Sequence, residues 1–358
     1  MLGSRISQVR SILHRKCLDA FLLQGRENLR YLCGFTGSDG ALIITGQHVL
    51  FLTDSRYTAQ AKLEVSADEV CVYREKISCI QQQFDKLMVK HVGFEAGVLC
   101  VEQFRQLERD CALVQFQPID DELSALRQVK DESEIAFLEE AAQLNYAAFK
   151  EVFPRIMPGV TERDVALDLE YTLRRLGGED KAFDLIVASG ERGALPHGIA
   201  SSKEIQNGEL VTIDFGTRCH GYYSDETVTF GVGNISDQLR NIYDVVLRAH
   251  DLALDVIEVS IPAKDVDQVA RQYIENQGYG KYFGHGLGHG VGLEVHESPT
   301  LSPRSEVILA AGMVFTIEPG IYVPGVGGVR IEDTVLLSVD GYRCLTQCPK
   351  CYQAVIVT

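Results

Sequence analysis

The stretch VTIDFGTRCHGYYSDET, residues 211–227, carries two acidic side chains beside an apolar segment that is typical of a β-strand. Asp214 follows the β-branched Ile213, and Asp225 comes eleven residues later. Gly221 lies between them and predicts a turn. An antiparallel hairpin would bring the two side chains to neighbouring positions. We therefore expect this stretch to supply two carboxylates to one site.

Two more carboxylates occur in the same setting further along the chain. Glu318 in FTIEPG and Glu332 in VRIEDT each follow an isoleucine in an apolar run. Removing such a carboxylate from water is costly unless a cation matches it. One buried acid is more often a hydrogen-bonded or ion-paired core residue, but four, together with His289 in GHGLGHG, argue against that explanation.

The chemical types of these candidate ligands, carboxylate and imidazole, indicate which cations would balance the negative charge. Four carboxylates carry a charge of about −4, which two divalent ions neutralise. Oxygen ligands with a single imidazole suit manganese, cobalt, iron or zinc better than a thiolate site would. We predict a dinuclear centre with manganese as the preferred metal and cobalt, zinc or iron as alternatives. The candidate ligands are Asp214, Asp225, His289, Glu318 and Glu332.

These motifs, in this order, resemble those of the "pita-bread" metallopeptidase family, which contains aminopeptidase P, prolidase, methionine aminopeptidase and the metal-free creatinase. The first half resembles the creatinase-type N-terminal domain in Asn28–Gly37 (NLRYLCGFTG) and in Leu52–Arg56 (LTDSR). The resemblance covers essentially the whole chain. It implies a pita-bread catalytic domain preceded by a smaller creatinase-type domain.

The resemblance also implies roles for individual residues. Asp214 would chelate one metal ion, His289 would bind the other, and Asp225 and Glu332 would bridge the two. Glu318 would be both a ligand and the group that takes a proton from the attacking water. The groups that would hold the substrate and stabilise the tetrahedral intermediate are His197 in LPHG and His296 in EVHE, with His285 close by.

Other residues near these motifs extend the prediction. Arg330, two residues before Glu332, is predicted to pair with a site carboxylate or with the substrate. Val228 stands where the family usually has arginine, which leaves the ligand set unchanged. A run of glycines around His285 and His289 predicts close approach of the backbone to a ligand. These glycines are Gly284, Gly286, Gly288, Gly290 and Gly292.

Hydrophobic periodicity predicts two domains, residues 1–123 and 124–358. In the first, helical and apolar strand patterns alternate, which indicates a small α/β domain. In the second, helices from Asp131, from Thr161 to Gly177, and near 237–258 and 265–277 group around strands, which indicates an α+β domain with an antiparallel sheet. Its strands are predicted at Asp184–Ser189, Glu209–Phe215, Gly221–Val232, Gly292–His296, Met313–Pro319 and Val329–Leu337.

Composition narrows the choice of partners. The chain has 34 Lys and Arg against 50 Asp and Glu, a net charge of −16, which disfavours nucleic acid. The longest apolar run, Val307–Phe315, is far shorter than the ~20 residues of a membrane span. The ten cysteines are scattered and no secretory signal is visible, so we expect a soluble cytoplasmic protein without membrane contact. The CxxC at Cys348–Cys351 lacks a second pair to complete a zinc site.

Together with the resemblance, these residues predict a metal-dependent exopeptidase that cleaves between an N-terminal residue and proline. Its substrate is either the Xaa-Pro dipeptide or a longer Xaa-Pro peptide, and the motifs leave that choice open. A creatinase-like metal-free hydrolase would lack ligands that are present here. The alternatives are a non-catalytic peptide- or protein-binding member of the same fold and a methionine aminopeptidase. The resemblance further implies a homodimer.

Overall fold

The computed structural model describes residues 2–352, and the chain divides into two compact units between Leu126 and Arg127. The helix Asp120–Gln128 spans this division, so residue 123 lies inside a helix. The acidic residues Asp120–Glu122, which resemble a linker in the sequence, form the first turn of that helix. Carboxylates are favourable there because the helix dipole is positive at its N-terminus.

The first unit alternates helices and strands, as the sequence predicts. Its strands are β1 Ala20–Leu23, β2 Ala41–Thr45, β3 Val49–Asp54, β4 Glu69–Tyr73, β5 His91–Phe94 and β6 Gln115–Pro118. Its helices are α1 Leu2–Lys16, α2 Arg26–Cys33, α3 Thr58–Glu64, α4 Lys76–Leu87, α5 Val101–Asp110 and α6 Asp120–Gln128.

The six strands form one mixed sheet in the order β4-β3-β2-β1-β5-β6. The pairs β1–β2 and β2–β3 are antiparallel, and the others are parallel. Every residue of β1 and β2 is buried, which explains why both strands are continuous apolar runs rather than alternating ones.

The second unit contains four long helices and thirteen short strands among the residues described. The helices are α7 Glu132–Val152, α8 Glu162–Leu176, α9 Asp237–Asp255 and α10 Ala263–Asn276. The strands are β7 Asp180–Lys181, β8 Ile186–Ser189, β9 Glu209–Phe215, β10 Thr217–Cys219, β11 Tyr222–Tyr223, β12 Glu226–Val232, β13 Gly288–Gly290, β14 Glu297–Leu301, β15 Val314–Ile317, β16 Gly320–Val323, β17 Gly327–Arg330, β18 Asp333–Ser338 and β19 Gly341–Cys344. Within residues 2–352, no helix combines the length and apolar character that a membrane crossing requires.

Two antiparallel sheets of this unit matter for the site. One has the order β12-β9-β8, and the other has the order β14-β13-β15-β18-β19. Helices α7 and α8 pack on the first sheet through a cluster that contains Phe149, Leu169 and Phe215. Helices α9 and α10 pack on the second through a cluster that contains Tyr243, Ile274 and Phe315. The predicted α+β class with an antiparallel sheet is therefore confirmed.

The predicted helix starts are also confirmed. Asp131 caps α7, since its carboxylate accepts the Glu134 N–H while the Glu134 side chain accepts the Asp131 N–H. Thr161 caps α8 through its hydroxyl oxygen, and Gly177 ends that helix in a left-handed conformation with φ +117°.

Three of the predicted strands differ from the structure. The predicted strand Gly221–Val232 is β11 and β12, which belong to different sheets. Residues Gly292–His296 form a turn in which the Gly292 N–H donates to the Glu294 carbonyl, and the strand begins only at Glu297. The predicted strand Val329–Leu337 is two strands in different sheets. The chain leaves β17 after Arg330 because the Glu332 N–H donates to the Thr227 carbonyl. Hydrophobic pattern alone does not reveal such a change of partner.

A buried carboxylate in α8 fixes the loop that contains His197. The Glu162 side chain is fully buried and accepts hydrogen bonds from the backbone N–H and hydroxyl of both Ser189 and Ser201. It also accepts one from the Arg192 guanidinium at 2.9 Å. Burial opposes its charge, but these donors outweigh burial and hold the pKa of Glu162 below its ordinary value.

The Glu162→Gln variant tests this network. An amide cannot accept all of these hydrogen bonds, so we expect a loss of about 3 kcal/mol in the free energy of unfolding at pH 7. Because the folded pKa of Glu162 is lowered, its contribution is present above about 4.3, the ordinary glutamate pKa, and is lost as the pH falls through the folded value. The difference in melting temperature between the variant and the wild type should therefore be larger at pH 7 than at pH 3.5. An equal difference at both values would contradict this account.

Candidate metal centre

The two aspartates of the opening motif lie on adjacent strands. Asp214 in β9 is directly opposite Thr227 in β12, and Asp225 is two residues before Thr227. Side chains two residues apart in extended chain share a face, so Asp225 is a diagonal neighbour of Asp214. The connection is longer than a tight hairpin, because β10 and β11 form a separate small sheet around Gly221.

The other three predicted ligands come from the five-stranded sheet. His289 lies in β13, Glu318 follows β15, and Glu332 precedes β18. The His289 Nε2 is 3.6 Å from the Asp225 Oδ2 and 3.4 Å from the Glu318 Oε1. Asp225, His289 and Glu332 each offer one ligand atom within 4.8 Å of the other two. The cluster therefore joins the facing ends of the two sheets.

The tautomer of His289 suits a ligand. Its Nδ1 is 3.1 Å from the Gly290 carbonyl, which can only accept, so Nδ1 carries the proton and Nε2 presents its lone pair to the carboxylates. Burial lowers the pKa of His289 to about 4, and His296, whose ring centroid is 4.3 Å away, acts in the same direction. The imidazole is therefore neutral at neutral pH, as metal coordination requires.

The carboxylates of the cluster repel one another. Burial, followed by the charges of Glu332, Asp214 and Glu318, raises the pKa of Asp225. Burial, followed by Glu318 and Asp214, raises that of Glu332. Burial raises the pKa of Glu318 to about 8, although Arg330 opposes the shift. In all three groups burial is the largest cause and neighbouring carboxylates add to it, so the ionised forms are disfavoured without a further cation.

Asp214 is held on one side only. Its Oδ2 accepts a 2.7 Å hydrogen bond from the Arg330 guanidinium. Its Oδ1 is buried and has no hydrogen-bond partner among the residues described. An unpartnered buried carboxylate oxygen beside three carboxylates of raised pKa is what a divalent cation would satisfy, so the donor set fits the predicted metal.

Arg330 has several partners besides Asp214. Its guanidinium donates to the Tyr322 hydroxyl at 2.9 Å, to the Pro196 carbonyl and to the Thr227 hydroxyl. Of the two roles predicted for Arg330, pairing with a site carboxylate is observed. The prediction that it shares a strand face with Glu332 is wrong, because Arg330 ends β17 whereas Glu332 lies between the strands.

Tyr322 is a residue that the sequence analysis missed. The His285 Nδ1 is 2.7 Å from the Gly286 carbonyl and so carries the proton, which leaves Nε2 to accept from the Tyr322 hydroxyl at 3.0 Å. Arg330, Tyr322 and His285 thus form one hydrogen-bonded chain. Burial lowers the pKa of His285 to about 4. In the sequence, Tyr322 lies in the apolar run GIYV, four residues after Glu318. That context does not distinguish it from a tyrosine of the hydrophobic core.

A cavity of about 690 Å³ opens onto this cluster. All five predicted ligands line it, as do the three predicted histidines, His197, His285 and His296. Apolar side chains, including Phe183, Ile186 and Ile199, form part of its wall. Its volume is in the range of small-molecule and short-peptide sites.

The glycine run also has a packing role that the sequence analysis did not predict. A Cβ at Gly286, Gly288 or Gly290 would collide with backbone atoms of Leu301, Thr316 and Ser298, respectively. Gly284, in contrast, has no atom within 4 Å of such a position. Gly286, Gly288 and Gly290 therefore let the backbone pass close to its neighbours, and Gly284, Gly286 and Gly288 also line the cavity.

Val228 lies away from the acidic cluster. It is buried in β12 and packs in the apolar cluster that contains Phe149, Phe215 and Phe230. An apolar side chain fits that core. Valine at this position therefore leaves the predicted ligands Asp214 and Asp225 in place.

A second group of potential metal ligands contains a thiol. Glu140 of α7, Cys219 of β10 and His220 bring ligand atoms within 4.8 Å of one another. Glu140 and His220 are exposed, and their side chains approach to 3.3 Å as an ordinary surface pair. None of the three lines the cavity, so this group is separate from the acidic cluster.

The chain belongs to metallopeptidase family M24. The sequence model of that family matches residues 136–338, and the model of the creatinase/prolidase N-terminal domain matches residues 5–129. An Xaa-Pro dipeptidase from Pyrococcus horikoshii is 37% identical over 349 residues, which cover 97% of this chain and 98% of that protein.

Solved structures agree with this assignment. An Xaa-Pro dipeptidase from Bacillus anthracis has a TM-score of 0.95 and 39% identity, covering 98% of this chain and 99% of the other. An X-Pro aminopeptidase from Thermotoga maritima has a TM-score of 0.89 and 39% identity, covering 97% and 99%. The predicted family and its pita-bread fold are confirmed, and the protein is an enzyme, a peptidase of a family that uses divalent metal ions.

The Asp225→Asn variant tests the electrostatics of the cluster. Removing one buried charge relieves repulsion in the metal-free protein, so its melting temperature in the presence of a chelator should rise by a few degrees, on the scale of ~2–4 °C per kcal/mol. The further rise on adding Mn²⁺ should be smaller than in wild type, because a ligand is lost.

Asp244→Asn, an exposed position in α9, is the matched control and should change neither value. A metal-free Asp225→Asn protein that melts below metal-free wild type would show that the carboxylate stabilises the fold by itself.

Proposed function

We propose that the protein is an Xaa-Pro aminopeptidase that works through two divalent metal ions held by Asp214, Asp225, His289, Glu318 and Glu332. The observation that carries this proposal is the convergence of four carboxylates, two of them buried and two half-buried, and a neutral imidazole on one cavity of about 690 Å³. The Xaa-Pro specificity of the named relatives supports the substrate class.

Divalent metal ions bound there would supply a neutral-pH nucleophile from water and would polarise the scissile carbonyl. The Asp214 Oδ1 has no hydrogen-bond partner among the residues described, and Asp225, Glu332 and His289 bring one ligand atom each within 4.8 Å of one another. The family resemblance would make Asp214 and His289 ligands of different ions and the other two carboxylates ligands of both, and we propose the same roles here. Manganese is the metal we propose, because oxygen donors dominate.

Glu318 is the proposed proton carrier. Its carboxylate is 3.4 Å from the His289 Nε2 and lines the same cavity, so it can reach a water molecule held between the ligands. It would accept the proton of the attacking water and pass it to the nitrogen of the leaving proline.

His197 and His296 are the proposed donors to the substrate. Both line the cavity, and the His296 ring is next to that of His289. A hydrogen-bond donor here would stabilise the oxyanion of the tetrahedral intermediate. The His285 Nε2 is already hydrogen-bonded to Tyr322, which also accepts from Arg330. These three side chains would therefore hold one another in place in the cavity wall rather than contact the reacting atoms.

A proline in the second position changes what the site must recognise. The amide nitrogen of an Xaa-Pro bond has no hydrogen, so a peptidase that requires an N–H donor there cannot bind it. An apolar surface for the pyrrolidine ring takes the place of that hydrogen bond. Phe183, Ile186 and Ile199 provide apolar surface in the cavity wall.

The charges that line the cavity favour peptides longer than a dipeptide. A free dipeptide places its carboxylate inside the site, where it needs a cation. Of the described residues that line the cavity, Arg330 alone carries a permanent positive charge. Its guanidinium is already bonded to Asp214, Tyr322, Thr227 and Pro196. A longer peptide keeps its carboxylate outside and avoids this cost.

Hydrolysis of Ala-Pro-Ala and Ala-Pro, compared at equal concentration with Mn²⁺ added, tests the substrate. We expect kcat/KM for the tripeptide to exceed that for the dipeptide by at least tenfold, equivalent to about 1.4 kcal/mol. Activity should vanish on chelation and return with Mn²⁺.

Ala-Ala-Ala is the control for proline specificity and should be cleaved poorly. Cleavage of the dipeptide alone would mean that the site finds a cation for the carboxylate. Full activity in chelator-treated protein shown to be metal-free by elemental analysis would contradict the metal mechanism.

A further inference from the structure

The segment that follows β19 returns to the back of the acidic cluster. Lys350, near its end, has its side chain 11% exposed, and its ammonium donates to the Glu226 Oε1 at 2.8 Å. The same ammonium is 3.3 Å from the Asp333 Oδ1. Both carboxylates are themselves buried, so one ammonium links two acids inside the unit.

The two acids occupy matching places in the chain. Glu226 is the residue after Asp225 and the first of β12, and Asp333 is the residue after Glu332 and the first of β18. In extended chain, successive side chains point to opposite faces. Lys350 therefore lies behind the two strand starts whose preceding residues, Asp225 and Glu332, face the cavity.

These strand starts belong to different sheets. β12 is an edge of the three-stranded sheet, and β18 is in the five-stranded sheet. Three hydrogen bonds link them directly: from the Glu332 N–H to the Thr227 carbonyl, from the Thr227 hydroxyl to the Glu332 Oε2, and from the Thr334 hydroxyl to the Asp225 carbonyl. The ammonium of Lys350 adds a charged link between them.

Neighbours on the same segment reinforce this arrangement. The Cys348 N–H donates to the Glu226 Oε1 at 2.8 Å, and the Thr346 hydroxyl donates to the Asp333 Oδ1 at 2.6 Å. His250 of α9 approaches the other oxygen of Asp333 at 3.3 Å. The CxxC at Cys348–Cys351 thus contains the lysine that reaches both acids.

We propose that Lys350 is a positioning residue for the metal centre: by bridging Glu226 and Asp333, it sets the separation of Asp225 and Glu332, the two proposed bridging ligands. The inference rests on the proposed metal centre. Without the ammonium, two buried carboxylates would repel one another and the strand starts would separate. The ligand oxygens of the preceding residues would then move apart.

The test is the Mn²⁺ affinity of Lys350→Met, measured by titration with detection of free Mn²⁺ by electron paramagnetic resonance. Mutation of groups that support metal ligands typically lowers metal affinity by 10–100-fold. We therefore expect Lys350→Met to bind Mn²⁺ at least tenfold more weakly than wild type. Lys350→Arg keeps the charge and the reach, and should stay within about threefold of wild type. At saturating Mn²⁺ the KM for Ala-Pro-Ala should be unchanged, whereas the Mn²⁺ concentration for half-maximal activity should rise.

Lys203→Met is the matched control. Lys203 bonds to Glu209 at 2.7 Å and to Ser189, in the same unit, but at the opposite end of β9 from Asp214. It should lower the melting temperature without changing Mn²⁺ affinity. A role of Lys350 in stability alone would give the same result for both variants.

A second variant covers the case in which Lys350→Met does not fold. Lys350→Met combined with Glu226→Gln removes the unpaired charge but still lacks the bridge, so its Mn²⁺ affinity should remain at least tenfold weaker. Wild-type affinity in either folded variant would overturn the inference. Failure of wild-type protein to bind Mn²⁺ would instead overturn the proposed function, and the inference with it.

Discussion

The close approach of four carboxylates is the constraint on which the candidate metal centre depends. Asp225 and Glu332 are buried, the Asp214 and Glu318 side chains are 14% and 17% exposed, and all four line one cavity. Burial, followed by the charges of neighbouring carboxylates, raises the pKa values of Asp225, Glu318 and Glu332. A fold that keeps these groups together must offset their charge from several sides.

The chain meets this constraint in two places. On the cavity side, Arg330 takes one oxygen of Asp214 and is fixed in turn by Tyr322 and Pro196. On the reverse side, Lys350 neutralises the acids that follow Asp225 and Glu332. The free oxygen of Asp214 and the lone pair of His289 are left to a cation. With the proposed metal ions bound, the charge of the site would be balanced, and without them the cluster would cost stability.

The sequence predicts those parts of this arrangement that depend only on residues close together in the chain. The acids after Ile213, Ile317 and Ile331 stand out because an ionised group in an apolar strand needs an explanation wherever the strand lies. Helix caps at Asp131 and Thr161 are equally local, and both are confirmed. The ligand roles, by contrast, come from the family resemblance.

What the sequence did not predict depends on tertiary partners. Tyr322 and Lys350 are indistinguishable from core and surface residues until the strands are assembled. The change of sheet after Arg330 depends on a hydrogen bond to Thr227, far away in sequence. The turn at Gly292–His296 likewise has an apolar alternation that resembles a strand. In each case the structure is determined by a contact between segments that are distant in the sequence. Hydrophobic periodicity describes each segment by itself and does not predict such contacts.

The central claim is that the five donors hold two metal ions, and anomalous X-ray diffraction from crystals grown with Mn²⁺ tests it most directly. The account predicts two anomalous peaks, both among Asp214, Asp225, His289, Glu318 and Glu332, with Asp225 and Glu332 contacting each. A single peak would contradict the dinuclear centre. No peak at these residues, or one only at the surface group of Glu140, Cys219 and His220, would contradict the assignment of the ligands altogether.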